Sequence, residues 1–151
     1  MEIERKYLLR NNDWRSLGDP VSYVQGYLVA NSGLTVRIRV AEAKGFVTIK
    51  GNSYGLARKE FEYQIPLDEA TELLKMCTLP IIEKYRTKIL YDDKIWEVDE
   101  FEGENQGLII AEIELKSEDE TFLIPSWIGQ EVTGDIRYYN SHLAKNPFKN
   151  W

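Results

Sequence analysis

The chain has 151 residues, of which 43% are hydrophobic and 29% charged, a composition typical of a folded globular protein rather than a disordered one. Its formal net charge of -6 disfavours a dedicated nucleic-acid binder, because such proteins neutralise phosphates with basic residues. No apolar run has the length of a membrane span or the pattern of a secretory signal, and a single cysteine excludes an internal disulfide. We therefore expect one cytoplasmic domain over residues 1–151, with no nucleic-acid or membrane partner.

Eight segments alternate between polar and apolar residues with a period of two, which predicts β-strands. They cover residues 1–10, 21–30, 34–41, 45–51, 57–65, 82–91, 94–101 and 108–117. Tight connections are predicted at residues 31–33 and 43–45, and Asp92 and Asp93 are predicted to join two strands as a hairpin. Eight strands with short links predict a mostly antiparallel sheet that is large enough to close into a barrel.

Helical spacing of apolar residues occurs in fewer segments. Residues 66–77 predict an amphipathic helix, and Cys77 at its end is expected to be a small core residue. Residues 126–132 and 138–145 predict shorter helices, and residues 12–17 predict a turn. The expected fold is therefore mainly β, with a few helices.

Most predicted strands place charged residues on one face and apolar residues on the other. In the first strand Glu2, Glu4 and Lys6 share one face and Ile3 lies on the opposite face. The acids of the charged face are Glu2, Glu4, Glu60, Glu62, Glu97, Asp99, Glu112 and Glu114. Its bases are Lys6, Arg37, Arg39, Lys50, Arg58, Lys84, Arg86, Lys88 and Lys116.

This charged face has two interpretations. An antiparallel sheet with one solvated face shows the same alternation, so any single strand is compatible with outward charges. The amphipathic helix and the Trp-rich C-terminal region, however, offer apolar surface that would cover a barrel from outside, which favours charges pointing inward. Carboxylates are suited to Mg²⁺ or Mn²⁺, and arginine and lysine bind phosphoryl oxygens. An inward face would therefore indicate a site for a metal-bound oligophosphate.

Glu2, Glu4 and Lys6 match the ExExK signature of the CYTH superfamily, the triphosphate tunnel metalloenzymes, which this chain resembles. Further matching segments follow in order at residues 25–28, 36–39, 48–51, 58–62, 83–86, 97–99 and 111–115. The resemblance covers nearly the whole chain. It implies an eight-stranded antiparallel β-barrel, with helices outside, whose charged tunnel binds triphosphate and Mg²⁺ or Mn²⁺.

The resemblance also implies roles for individual residues. The implied phosphate-binding set is Lys6, Arg37, Arg39, Lys50, Lys84 and Arg86, with Arg58 as an addition. One implied group of metal ligands is Glu2, Glu4, Glu112 and Glu114, and another is Glu60, Glu62 and Asp99. Tyr27 lies in a Gln-Gly-Tyr-Leu segment, where a contact with Lys84 would favour a tyrosinate that activates water. Packing in the core is the alternative role for Tyr27.

The implied activity is metal-dependent hydrolysis of inorganic tripolyphosphate to pyrophosphate and phosphate. Few insertions are present to shape a pocket for a base, which favours a substrate recognised through its phosphates. Hydrolysis of a nucleoside or thiamine triphosphate, class IV-type adenylyl cyclisation and non-catalytic polyphosphate binding stay as alternatives. The expected partner is a small-molecule triphosphate, the expected assembly is a monomer or homodimer, and residues 137–140 are expected to pack at one tunnel mouth.

Overall fold

The computed structural model describes residues 1–31 and 33–151. Its strands are β1 (Glu2–Leu9), β2 (Pro20–Ala30), β3 (Thr35–Ala41), β4 (Lys44–Tyr54), β5 (Ala57–Ile65), β6 (Ile82–Tyr91), β7 (Lys94–Phe101), β8 (Ile109–Glu114) and β9 (Ile128–Glu131). The α-helices of the described residues are α1 (Leu67–Lys75) and α2 (Asn140–Leu143). Short 3-10 turns occur at Asp13–Ser16, Gly103–Asn105, Ile136–Tyr138 and Phe148–Asn150.

Strands β1 to β8 form a closed antiparallel barrel in the order β5-β4-β3-β2-β6-β7-β8-β1. The barrel closes where β1 pairs with β5, through Glu2 opposite Arg58 and Ile3 opposite Ala57. The ninth strand, β9, pairs with the other part of β1 and extends the sheet. The predicted eight-stranded antiparallel barrel is thus confirmed.

The main apolar core lies outside the barrel wall. Trp96 of β7 is fully buried there and makes edge contacts with the rings of Tyr7, Phe122 and Trp127. On another side α1 packs against β2, β3 and β4, where Ala70 approaches Gly45 so closely that a Cβ at position 45 would lie 2.5 Å from the Ala70 methyl. Burial of these outer faces leaves the charged faces of the same strands to point inward.

One end of the barrel interior is filled by apolar side chains. Tyr27, Phe101 and Ile110, on the inner faces of β2, β7 and β8, form a buried cluster with Tyr138 and Leu143 of the C-terminal segment. We call this cluster the end plug; it also includes Ile82, Leu108, Val132 and Ala144. The plug separates the charged part of the interior from solvent at that end.

The outer face of β5 is less well covered than the alternating pattern predicts. Phe61 and Tyr63 have exposed fractions of 54% and 56%. The reason is that α1 reaches β2, β3 and β4 and leaves most of β5 uncovered.

The helix predicted at residues 126–132 is wrong, because this segment contains strand β9. Its backbone pairs with β1, where Glu131 lies opposite Tyr7. The other predicted helices have shorter counterparts in α1 and α2, and residues 12–17 contain a 3-10 turn. None of the helices in the described ranges has the length and apolar character needed to cross a bilayer.

Two of the three predicted turns lie wholly within the described residues. Asp92 and Asp93 form a two-residue hairpin with positive φ angles of 50° and 61°. The connection predicted at 43–45 is shifted by one residue, since Glu42 and Ala43 carry the positive φ angles and Lys44 already begins β4. Of the turn predicted at 31–33, Ser32 lies outside the described residues.

Candidate active site in the barrel tunnel

The barrel interior forms a charged tunnel with two lobes. The lobe beside the end plug, the basic lobe, is lined by three carboxylates and by seven bases: Lys6, Arg37, Arg39, Lys50, Arg58, Lys84 and Arg86. The lobe at the other end, the acidic lobe, has an excess of carboxylates and extends to Glu42 and Lys44 beside the β3–β4 turn. Its lining carboxylates are Glu2, Glu4, Glu42, Glu60, Glu62, Glu97, Glu112 and Glu114. The residues that line both lobes mark their junction; the carboxylates among them are Glu2, Glu4 and Glu112, and the bases are Arg37, Arg39, Lys50 and Arg86.

Two lysines form ion pairs between carboxylates at this junction. Lys6 Nζ lies 2.7 Å from Glu112 Oε1 and 3.3 Å from Glu4 Oε1. Lys50 Nζ lies 2.9 Å from Glu2 Oε2 and 3.7 Å from Glu60. The Lys6–Glu112 and Lys50–Glu60 pairs join neighbouring strands, β1 with β8 and β4 with β5. The Lys50–Glu2 pair joins β4 to β1 across the β1–β5 seam, so it forms only when the barrel closes.

A more deeply buried cluster surrounds Asp99. Lys84 Nζ donates a hydrogen bond of 2.7 Å to Asp99 Oδ2, and Arg86 donates to both Asp99 oxygens at 2.7 and 2.8 Å. Arg86 also lies 3.2 Å from Glu97 Oε2. The Asp99 carboxylate is therefore fully engaged by two cations.

The two arginines of β3 make different contacts. Arg37 Nη2 donates to Thr48 Oγ1 at 3.0 Å, and the Thr48 hydroxyl donates to Glu62 at 2.8 Å. Arg39 Nε donates to the side-chain oxygen of Gln25 at 3.1 Å, and its guanidinium lies 4.7 Å from the Tyr23 ring. Each arginine is thus held by a neutral polar side chain on a neighbouring strand.

The positive charge of the basic lobe is only partly compensated. Burial lowers the pKa of Lys84 to about 7, with the help of Arg86 and Arg39, because Asp99 offsets only part of the effect. Burial also lowers the pKa of Arg39, and Arg37 and Arg86 contribute. An anion placed among these side chains would relieve their mutual repulsion.

Negative charge at the lobe junction and in the acidic lobe is only partly compensated by Lys6 and Lys50. Burial raises the pKa of Glu4, and the nearby Glu112 contributes. Burial likewise raises the pKa of Glu114, with contributions from Glu2 and Glu4. Glu4 stands directly opposite Glu114 across the β1–β8 pair, and Glu97 stands opposite Glu112 across β7–β8. Like charges directly opposite each other destabilise a sheet, so this wall favours a bound cation.

The tunnel carboxylates were compared with the ligands that a divalent metal ion requires. Within residues 1–31 and 33–151 no three Asp, Glu, His or Cys side chains already converge as a ligand cage. The oxygens of Glu2, Glu4, Glu112 and Glu114 nevertheless have the hard character that Mg²⁺ and Mn²⁺ require, and they lie on two paired strands. These four carboxylates therefore fit a divalent ion.

Asp99 does not fit the second implied group of metal ligands. Glu60 and Glu62 line the acidic lobe, whereas Asp99 lines neither lobe and is 1% exposed. Its oxygens bind Lys84 and Arg86 instead. The structure thus separates Asp99 from Glu60 and Glu62, because residue 99 is buried on β7 beneath two cations.

Tyr27 lines the basic lobe but belongs to the end plug. In the part of the chain that the structure describes, Lys84 Nζ donates to Asp99 and Asn140, and no hydrogen bond joins it to Tyr27. No hydrogen bond thus supports a tyrosinate at Tyr27 among the described residues, and its burial in the end plug favours a packing role.

Several residues that support or line the tunnel are uncharged, so the charge pattern of the sequence does not identify them. Gln25 and Thr48 are both fully buried, and each accepts a hydrogen bond from an arginine. Asn140, the first residue of α2, reaches the basic lobe and is the last residue of the segment 137–140 that was expected to pack at a tunnel mouth. Their inward position in the alternating pattern of β2 and β4 was the available signal for Gln25 and Thr48.

Arg58, a predicted phosphate-binding residue, also lines the basic lobe, but its guanidinium donates to the Gly51 carbonyl at 3.2 Å.

Comparison with known proteins identifies the family. The family model described as the CYTH domain matches residues 1–141. The chain belongs to the CYTH family.

Relatives of this CYTH chain include two proteins named inorganic triphosphatase. The one from Acetivibrio thermocellus is 51% identical over 151 residues, covering 99% of this chain and 97% of the relative. The one from Nitrosomonas europaea is 36% identical over 147 residues, covering 95% of this chain and 96% of the relative.

Solved CYTH-like structures agree with the barrel. A crystal structure of an inorganic triphosphatase has a TM-score of 0.66 at 33% sequence identity, and the match covers 95% of this chain and 94% of that one. A Hippeastrum protein described as a putative adenylyl cyclase with dominant triphosphatase activity has a TM-score of 0.62 at 18% identity, covering 78% of this chain and 80% of that one. The second likeness concerns the fold alone.

Proposed function

We propose that this chain hydrolyses inorganic tripolyphosphate to pyrophosphate and orthophosphate, in the cytoplasm and with Mg²⁺ or Mn²⁺ as cofactor. The observation that carries the proposal is a closed barrel whose interior brings seven bases against a wall of carboxylates. The names of the two close relatives support the same reaction.

Binding of the substrate follows from the charge of the basic lobe. Lys84 and Arg39 lack full compensation, and a guanidinium group such as that of Arg39 can present two donors to phosphoryl oxygens. A tripolyphosphate lying along this lobe would exchange repulsion between cations for ion pairs. The end plug limits how far the anion can enter, since apolar side chains occupy the space beyond.

A divalent ion would sit where the junction meets the acidic lobe, held by Glu2, Glu4 and Glu112 of the junction and by Glu114 of the acidic lobe. Bound there, the ion would supply neutralisation of phosphoryl charge and acidification of a water molecule. Lys6 contacts both Glu4 and Glu112 in this structure, so it stands between the carboxylates and the basic lobe. We expect Lys6 to bridge the two halves of the site.

Phosphoryl transfer needs positioning and electrostatic stabilisation more than a protein nucleophile. Arg37, Arg39 and Arg86 are held in place by Thr48, Gln25 and Asp99, respectively. Such fixed cations can stabilise the charge that develops on the departing pyrophosphate without reorganising during the reaction. Water enters through the acidic lobe, whose carboxylates extend to the barrel mouth.

The test is a substrate panel with a matched pair of lysine variants. Wild type should release orthophosphate from tripolyphosphate faster than from ATP or thiamine triphosphate, and only with Mg²⁺ or Mn²⁺ present. Lys6→Met should lower kcat/KM on the order of 100-fold, comparable to losing one fixed donor at a reacting centre. Lys75→Met, at an exposed position on α1, should leave it unchanged.

Other outcomes would replace the proposal. Cyclic AMP and pyrophosphate from ATP would assign a cyclase, and preference for an organic triphosphate would assign a different substrate. Tight binding of tripolyphosphate without turnover in either metal would leave a binding protein.

A further inference from the structure

Two neutral amides link cations in the basic lobe. Arg39 Nε donates to Gln25 Oε1 at 3.1 Å, and Gln25 Nε2 donates to Asn140 Oδ1 at 3.1 Å. Lys84 Nζ donates to the same Asn140 oxygen at 3.0 Å. A continuous chain of hydrogen bonds therefore connects Arg39 on β3 with Lys84 on β6 through Gln25 and Asn140.

The contacts of Arg39 differ from those of most other bases of the tunnel. Lys6, Lys50 and Arg86 each lie within 3.2 Å of a carboxylate oxygen. Among the described residues Arg39 has no carboxylate partner within 4 Å; an amide oxygen accepts its Nε–H, and the Tyr23 ring lies beside its guanidinium.

Lys84 is only partly neutralised, because its carboxylate partner is shared. Asp99 accepts hydrogen bonds from Lys84 and also from Arg86. The remaining partner of the Lys84 ammonium group is the Asn140 amide oxygen, which carries no net charge. The amides thus fix two cations in place without cancelling their charge.

We propose that Asn140 and Gln25 are positioning residues that hold Arg39, which has no carboxylate partner, and Lys84, which shares Asp99 with Arg86, as an incompletely compensated cation pair for a phosphoryl group of the substrate. The identity of that anion as tripolyphosphate rests on the proposed function. Asn140 belongs to α2, which is not one of the barrel strands, so the C-terminal segment has a second role beyond closing the tunnel.

The substitution Asn140→Asp separates this role from a purely structural one. An aspartate has the same shape and accepts the hydrogen bonds of both Lys84 and Gln25, so a residue needed only to anchor α2 would tolerate it. The added carboxylate would instead pair with Lys84 and repel the incoming anion. We expect KM for tripolyphosphate to rise at least 10-fold, with a much smaller change in kcat.

Metal-free binding provides a readout that does not depend on turnover. Isothermal titration of tripolyphosphate in EDTA should give a Kd at least 10-fold higher for Asn140→Asp than for wild type. The matched control is Asn105→Asp, at a buried asparagine outside the tunnel that also anchors the C-terminal segment, by accepting from the Phe148 N–H at 2.8 Å. This control should bind tripolyphosphate like wild type.

The possible outcomes decide between the two roles. Equal Kd and KM for wild type and Asn140→Asp would overturn the inference, even if hydrolysis of tripolyphosphate is established. A protein that binds tripolyphosphate but does not hydrolyse it would refute the proposed function and leave the inference intact. If Asn140→Asp does not fold, Gln25→Glu places the new carboxylate against Arg39, and an unchanged Kd for that variant would equally overturn it.

Discussion

Asp99 organises the deepest charges of the tunnel. It accepts three hydrogen bonds from Lys84 and Arg86, and these cations hold its pKa well below the usual range despite burial. A buried carboxylate between two cations fixes the positions of both side chains. The two buried cations in turn need its negative charge to offset their desolvation. At the residue scale, Asp99 therefore has a structural role that the family resemblance did not indicate.

Replacing Asp99 tests this role directly. Asp99→Asn should lower the free energy of unfolding by about 3 kcal/mol, because two buried cations lose their shared counter-charge. Urea denaturation of the metal-free protein measures the change. The control Glu62→Gln, at a side chain that is 40% exposed, should change stability by less than about 1 kcal/mol. Unchanged metal-free stability together with weaker Mg²⁺ binding would instead make Asp99 a metal ligand.

Which side chains face the tunnel could be predicted from the sequence, but their partners could not. The period of two places Lys6 and Glu112 on inner faces whatever the barrel geometry. Their contact at 2.7 Å spans 106 positions and depends on the register of β1 against β8. Gln25 and Asn140 escaped prediction because an uncharged amide does not stand out in a pattern of charges.

At the scale of elements, the β3–β4 hairpin turns through Glu42 and Ala43, with φ angles of 53° and 60°. Left-handed backbone conformations cost a residue with a Cβ about 1 kcal/mol or more, and aspartate and asparagine tolerate them better than alanine does. The other two-residue hairpin uses Asp92 and Asp93, which suit the geometry. The β3–β4 turn is therefore the less favourable of the two.

Ala43→Gly should raise the free energy of unfolding by about 0.5 to 1 kcal/mol, because glycine adopts this conformation without steric cost. Thermal denaturation with a two-state fit gives the measurement. Asp93→Gly serves as the comparison and should stabilise the protein less. A loss of stability in Ala43→Gly would mean that the alanine methyl makes a packing contact worth more than the strain.

Strand β9 is a short element that the local sequence pattern does not predict. It has four residues and exists because β1 offers a free edge at Tyr7 and Leu9. Such an edge is a property of the closed barrel, so the local pattern of residues 126–132 could not reveal it. The long strands β2 and β6, in contrast, carry enough alternation to be recognised alone.

For the molecule as a whole, net charge and local charge have opposite signs. The chain carries -6 overall, yet seven bases face three carboxylates in the basic lobe. A local field of this kind attracts an anion in spite of the total charge. An anion bound in the basic lobe would consequently reduce the repulsion between its bases.

Tripolyphosphate should therefore stabilise the native protein strongly. A ligand that binds only the folded state at 100 times its Kd adds about 2.7 kcal/mol to the free energy of unfolding. Thermal unfolding at increasing tripolyphosphate concentration, with and without Mg²⁺, measures the effect, and sulfate at equal ionic strength is the control. A melting temperature that does not depend on tripolyphosphate would argue against a tunnel that binds it.

The short seam between β1 and β5 has a practical consequence for recombinant work. Two residue pairs close it, and β5 then continues past Met1 to Ile65. A purification tag fused ahead of Met1 would run antiparallel along that strand, beside the Glu60 and Glu62 carboxylates at the mouth of the acidic lobe. Fusion through Trp151, which is 40% exposed, keeps foreign peptide away from this entrance.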